Sequence, residues 1–180
     1  MICIFVLNLF TLLRCKRKLD ILNEFTKYNY TFLRMKKSLR KFLLDKGYKR
    51  IKLNRINTNH YEVKAKINGV EGSFILDTGA STSCVGFEAV KIFKLKAKDS
   101  KIKAAGAGAV NMETQISKKN TVHIGKWKNK KVALVLFNLD HVNTALTQHE
   151  AKPVNGIIGA DILRTGKAVI DYNKNCLYLK

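Results

Sequence analysis

Residues 61–76 constrain the fold more tightly than any other part of the chain. Tyr61-Glu-Val-Lys-Ala-Lys-Ile67 alternates apolar and polar side chains, the period of a strand with one buried face. Asn68-Gly69 follows. This pair is favoured in two-residue hairpins because both positions take positive φ. Val70-Glu-Gly-Ser-Phe-Ile-Leu76 then returns as the partner strand and ends in an apolar run. A lone hairpin is marginal in water, so these two strands need a sheet around them. Segments 48–53, 121–124, 132–136, 168–171 and 176–179 read as further strands, with a Lys-rich turn between the second and third and the last one closing the sheet.

Helices are expected only in short pieces. In 38–46, Ser38 can cap the first turn and Gly47 suits the position after the end. Segment 87–93 is a second short helix. Lys94, Lys96, Lys98, Lys101 and Lys103 alternate with Leu95, Ala97, Ile102 and Ala104, which predicts an edge hairpin guarded by lysines on its solvent face. Small residues fill 104–110, with Gly106 and Gly108 at the expected tip. Segment 156–163 reads as a loop that runs into a helix. The fold class is all-β, mainly β with short helices, in a small closed or folded-over domain.

Charge and cysteine usage exclude several functions. The formal net charge is +21, from 34 Lys/Arg against 13 Asp/Glu. Residues 1–60 hold 15 basic and 3 acidic residues, and residues 61–180 hold 19 and 10. Such a surface attracts anions, yet the chain has no RNP-like aromatic pattern and no paired Cys/His finger, so nucleic acid is not the expected partner. Cys3, Cys15, Cys84 and Cys176 form no CxxC, and the four histidines are scattered along the chain. Neither a zinc site nor a disulfide framework is expected, and no cofactor. Cys84 reads as a small buried apolar residue, and His123 and His141, on or beside expected strands, as structural or exposed.

The expected organisation is a tail over 1–34, a basic helix–strand extension over 35–57 and a main domain over 58–180. The apolar run from Ile2 to Leu13 spans 12 residues, where a membrane helix needs about 20. Two readings of the tail stand side by side. Translation starting at Met35 implies a cytoplasmic protein. A genuine tail implies membrane association through residues 1–18, or ordering on a partner.

Asp77-Thr78-Gly79 comes directly after the apolar end of the second hairpin strand, and the small residues Ala80 and Ser81 follow. Asp and Gly are ordinary turn formers, so the triplet alone says little. Together with the hairpin before it, the glycines at 106 and 108, the Ile157-Ile158-Gly159 motif and the strand at 168–171, residues 58–180 resemble the retropepsin-like aspartic peptidases of the single-domain, bacterial type. The resemblance implies a closed β domain, active as a twofold homodimer on a peptide or protein substrate, with Asp77 as the catalytic residue. It implies that Thr78, Gly79, Ala80 and Ser81 form the active-site loop and support the dimer. Thr78 would bond across the dimer axis. Gly106, Ala107 and Gly108 would form a flap, and Ile157, Ile158 and Gly159 would pack under the loop. Neither Asp161 nor Asp171 lies in a second Asp-Thr/Ser-Gly turn, so the second carboxylate is expected from Asp77 of another copy. Two alternatives remain open at this point: a non-catalytic dimeric peptide-binding module on the same fold, and a retroelement-type protease with a basic, nucleic-acid-associated extension.

Overall fold

A computed structural model describes residues 38–100, 104–106 and 109–180, with side chains for 38–100 and 113–180. Its centre is a closed barrel of six strands. The hairpin is formed by β3 (Tyr61–Ile67) and β4 (Val70–Leu76), paired in full from Tyr61↔Leu76 to Ile67↔Val70. At its turn Asn68 and Gly69 take φ of 50° and 91°, the conformation the sequence demands. Asn68 does more than turn the chain. Its side chain donates to Phe93 O and Asn120 Oδ1 and accepts from Thr121 N, which fastens the hairpin tip to two other segments.

The ring continues from β4 to β11 (Gly156–Ile158), which runs parallel to it with Ile157 opposite Ile75. Next come β5 (Cys84–Gly86), β10 (Trp127–Phe137) and β9 (Gln115–Ile124). Pairing of Ala65 with Ile124 then returns from β9 to β3 and closes the ring. The inward residues Val63, Ile67, Phe74, Val85, Val122 and Ile158 are at most 1% exposed. Each such side chain contributes roughly 1.5–3 kcal/mol by leaving water. Phe74 and Phe93 stack in this core with ring centroids 5.8 Å apart.

Two short strands extend the barrel sheet, β2 (Asn54–Arg55) on β3 and β6 (Ala97–Asp99) on β9. A separate three-stranded sheet has β13 (Cys176–Leu179) between β1 (Lys49–Lys52) and β12 (Val169–Asp171). All four β13 residues are buried, because alternate side chains serve two cores. Leu177 and Leu179 join the barrel core, while Cys176 and Tyr178 pack with Leu43. The hairpin of β7 (Ala104–Gly106) and β8 (Ala109–Met112) pairs Gly106 with Ala109.

Among the described residues the helices are α1 (Leu39–Asp45), α2 (Asp140–Gln148) and α3 (Ala160–Thr165). Ser38 Oγ accepts from Lys41 N at 3.3 Å, as expected of a cap. Residues Leu43–Lys180 form one compact unit.

Several expectations need correction. Segment 87–93 is a single 3₁₀ turn (Phe87–Ala89) followed by turns. The alternating lysines do not build a hairpin of their own; Ala97–Asp99 is an edge strand on β9, and residues 101–103 lie outside the described residues. The turn between β9 and β10 falls at Gly125-Lys126, ahead of the lysine run. Lys128, Lys130 and Lys131 stay in the strand, with a register irregularity there and Lys131 at φ 64°. Segment 156–158 is a strand, because it has partners on both sides. The last strand closes the smaller sheet and not the barrel.

Candidate active site

Asp77 sits where β4 leaves the barrel. Its backbone N–H still donates to Ile158 O at 3.0 Å, so the position is tied to the sheet although the loop has begun. Its carboxylate Oδ1 accepts the Gly79 N–H at 2.7 Å, which orients the side chain from within its own loop. Thr78, Gly79 and Ser81 are exposed, and Asp77 and Ala80 are half-buried. The loop therefore presents its tip outward while its base is held.

The base is held by residues 158–161. Ala160 N donates to Ala80 O at 2.7 Å. Gly159 lies so close beneath the loop that a Cβ there would stand 2.7 Å from Ala80 O and 2.9 Å from the Thr82 carbonyl carbon. Only a residue without a side chain fits under the loop at this distance. Ser83 is fully buried, and its Oγ accepts the Gly159 N–H at 2.9 Å while donating to Asp161 Oδ1 at 2.6 Å. The same Asp161 oxygen accepts Ser83 N at 2.9 Å. One buried hydroxyl thus links the Asp77 loop, the glycine beneath it and the first turn of α3.

Asp77 borders a cavity of about 600 Å³. Ile75 and Ile157 form its apolar base. Helix α2 and the residue just past its end line one wall with His141, Ala145 and His149. The opposite wall is the loop before β3, including His60. Helix α2 is seated by Leu146, which packs with Ile75 and Val154, and by Asn143, whose side chain accepts from Val154 N and donates to Val154 O.

The structure therefore brings Asp77 and Ile157 to one cavity and sets Ile158 and Gly159 against the loop backbone. Gly106 ends β7, and Ala107 and Gly108 lie outside the described residues. Sequence reasoning missed Ser83 and Asp161, 78 residues apart and without a local pattern joining them. It also missed α2, and with it the placement of His141, which stands on a helix and lines the cavity. His141 and His149, with Ala145 midway, was the available signal. Among the described residues no group of three or more His, Cys, Asp or Glu is placed to hold a metal ion.

Cys84 follows this loop and is buried. Burial pushes its thiol up to about 12, with the charges of Asp161 and Asp77 adding to the effect and a backbone hydrogen bond at Ile157 opposing it. A thiol that stays protonated is a poor nucleophile. Native protein treated with iodoacetamide at pH 8 should leave Cys84 unmodified by peptide mass mapping, and unfolding in denaturant should expose it. Rapid native-state alkylation of Cys84 would contradict this environment.

The sequence model for the aspartyl protease family matches residues 63–162, which include the Asp77 loop and the 157–159 motif. Solved structures similar to this chain include a retropepsin-like aspartic protease from Rickettsia conorii. It is 23% identical with a TM-score of 0.48, over 74% of this chain and 88% of that one. The EIAV protease complexed with the inhibitor HBY-793 is 22% identical with a TM-score of 0.43, over 57% of this chain and 84% of the other. The retroviral protease-like domain of Ddi1 from Leishmania major is 17% identical with a TM-score of 0.44, over 66% and 86%. No curated protein matches the chain.

Proposed function

We propose that this chain, which belongs to the aspartyl protease family, hydrolyses internal peptide bonds as a twofold homodimer in which each copy supplies one Asp77 carboxylate. The observation that carries this reading is the setting of Asp77. It is oriented by Gly79 N–H, stands on an outward-facing loop, and among the described residues is the only carboxylate lining its cavity. Asp161, the nearest alternative in the loop's support, is engaged with Ser83. A second carboxylate then has to come from another copy, and a twofold axis through the loops would bring two Asp77 side chains together.

Two carboxylates held that close share one proton, because both cannot ionise together. The ionised one takes a proton from a bound water as the water oxygen attacks the peptide carbonyl carbon. The protonated one hydrogen-bonds the carbonyl oxygen. The tetrahedral adduct then collapses: the C–N bond breaks, and the leaving nitrogen takes a proton from the dyad. The two protons balance, and the dyad returns to its starting state. Their apparent pKa values would belong to the pair.

The remaining residues have supporting roles in this reading. Thr78 holds the two loops together across the axis. Gly79 and Ala80 leave room for the substrate backbone, and Ser81 completes the loop. An extended peptide bound at Asp77 would pair with the protein backbone as an added strand. The small-molecule inventory is limited to water, and the partners are a second copy and a peptide or protein.

The dimer is tested by dilution. Mass by light scattering and cleavage rate are measured on the same samples. Activity per chain should fall in step with the dimer fraction, and the rate should approach the square of chain concentration when monomer dominates. Constant activity per chain in samples that are wholly monomeric would overturn the proposal.

A further inference from the structure

Three of the four histidines in this chain, His60, His141 and His149, line a cavity that Asp77 borders. Among the described residues no lysine or arginine lines that cavity. The cations that can face it are of the kind that come and go with pH, since histidine ordinarily changes charge between about pH 5 and 8.

The imidazoles approach from two sides. His60 stands on the loop before β3, with Nδ1 2.9 Å from Thr58 Oγ1. His141 comes from α2 and His149 from the residue just past its end, with Ala145 between them in the lining. His141 is steadied by Phe137, with ring centroids 6.4 Å apart. Below them the surface is apolar, with Ile75, Leu146 and Ile157.

We propose that this cavity receives an acidic side chain, Asp or Glu, of the peptide bound at Asp77, and that protonation of His60, His141 and His149 admits it. The inference rests on the peptidase reading of Asp77. A residue flanking the scissile bond has to lie beside Asp77, and a twofold dimer offers the cavity once on each side of that bond. With neutral imidazoles, a carboxylate entering this largely apolar space loses its water and gains few donors, which is costly. Protonated imidazoles present charged N–H donors on both nitrogens.

The surrounding charges do not cancel the effect. Asp77 is the only carboxylate lining the cavity among the described residues, one against three histidines. Asp140 precedes His141 in the chain and is bonded to Asn138 Nδ2 at 2.9 Å. Glu150 follows His149 and lines a neighbouring groove together with Lys52, Arg55, Lys64, Lys152 and Glu62. Of these groups, Arg55 donates to Oδ1 of Asn59, a residue of the cavity lining, at 2.7 Å, and Asn57 lines both spaces.

The test uses peptides that are identical except for Glu or Gln at a residue flanking the scissile bond, with one pair for each flank. kcat/KM is measured at pH 7.5 and 5.5 on the full-length protein. The substrate carboxyl ordinarily titrates near pH 4.3, so it is charged at both values. Any pH dependence of the dyad itself cancels in the Glu:Gln ratio. That ratio should rise about tenfold on going to pH 5.5, the scale of a charged hydrogen bond gained. His60→Asn/His141→Asn/His149→Asn should hold the ratio flat to within about twofold. His149→Asn alone, at an exposed helix end, should reduce the rise and serves if the triple variant does not fold. A ratio that does not change with pH in the wild type, or that rises unchanged in the histidine variants, overturns this inference and leaves the peptidase reading standing. Failure of the wild type to cleave any of the peptides overturns the peptidase reading, and this inference with it.

Discussion

Asp77→Asn is expected to keep its fold and to lose peptide cleavage by about 10²–10⁴-fold, the range that a positioned acid–base group contributes. Asparagine has nearly the same shape, and its amide oxygen can still accept the Gly79 N–H that now reaches Oδ1 at 2.7 Å. The backbone tie from Asp77 N–H to Ile158 O is untouched. What is lost is the ability to take a proton from water. In a homodimer both carboxylates disappear together, and among the described residues no other carboxylate lines the cavity. The measurement is kcat/KM on a cleaved peptide together with a denaturation midpoint, and the midpoint should move by less than about 1 kcal/mol, as is usual away from the core. Mixed dimers sharpen the result. Equal amounts of wild-type and Asp77→Asn chains, dissociated and reassociated at random, should leave about a quarter of the wild-type activity, because only dimers with two aspartates work. Half the activity would mean that each chain acts alone. A homodimeric variant as active as the wild type would remove Asp77 from the chemistry altogether.

How much of this was legible in the sequence follows from where each signal is stored. The β3–β4 hairpin was legible because both of its determinants are local: alternation along Tyr61–Ile67, and a turn whose two residues take φ of 50° and 91°. The position of Asp77 at the end of a strand was legible because it directly follows that hairpin. Strand β11 was not, since its three residues are made a strand by β4 on one side and β5 on the other, and neither is near in sequence. Helix α2 was missed for a different reason. Its polar residues outnumber its apolar ones, and only Leu146 is buried, so the periodic stripe is weak. Its start is fastened by Asn138, whose Oδ1 accepts Asp140 N at 2.7 Å, one position ahead of the usual capping site. The candidate site inherits both gaps: one wall is α2, and the support under the loop passes through β11 into α3.

That support yields the second large effect. Ser83→Ala is expected to destabilise the protein by about 2–4 kcal/mol, because it removes a hydrogen bond to a charged group and leaves a buried N–H without a partner. The wild-type hydroxyl is 2.6 Å from Asp161 Oδ1 and 2.9 Å from Gly159 N, and Ser83 is fully buried. Water has no ready route to replace it, and Gly159 cannot move away, since it is already wedged against the carbonyls of Ala80 and Thr82. Asp161→Asn is expected to cost less than Ser83→Ala. Its amide oxygen can still accept from Ser83, and the Gly159 bond survives. The two changes share one hydrogen bond, so the double variant should be less damaging than the sum of the singles. Denaturant midpoints of the four proteins measure this directly. The loop is also expected to lose catalytic precision, since a shift of about 1 Å in a reacting group can cost 10²-fold in rate. In a peptidase built on Asp77, Ser83→Ala should therefore lower kcat at temperatures well below its unfolding midpoint, with KM little changed. Strict additivity of the two substitutions, or a Ser83→Ala protein of wild-type stability and kcat, would show that the hydroxyl does not position the loop.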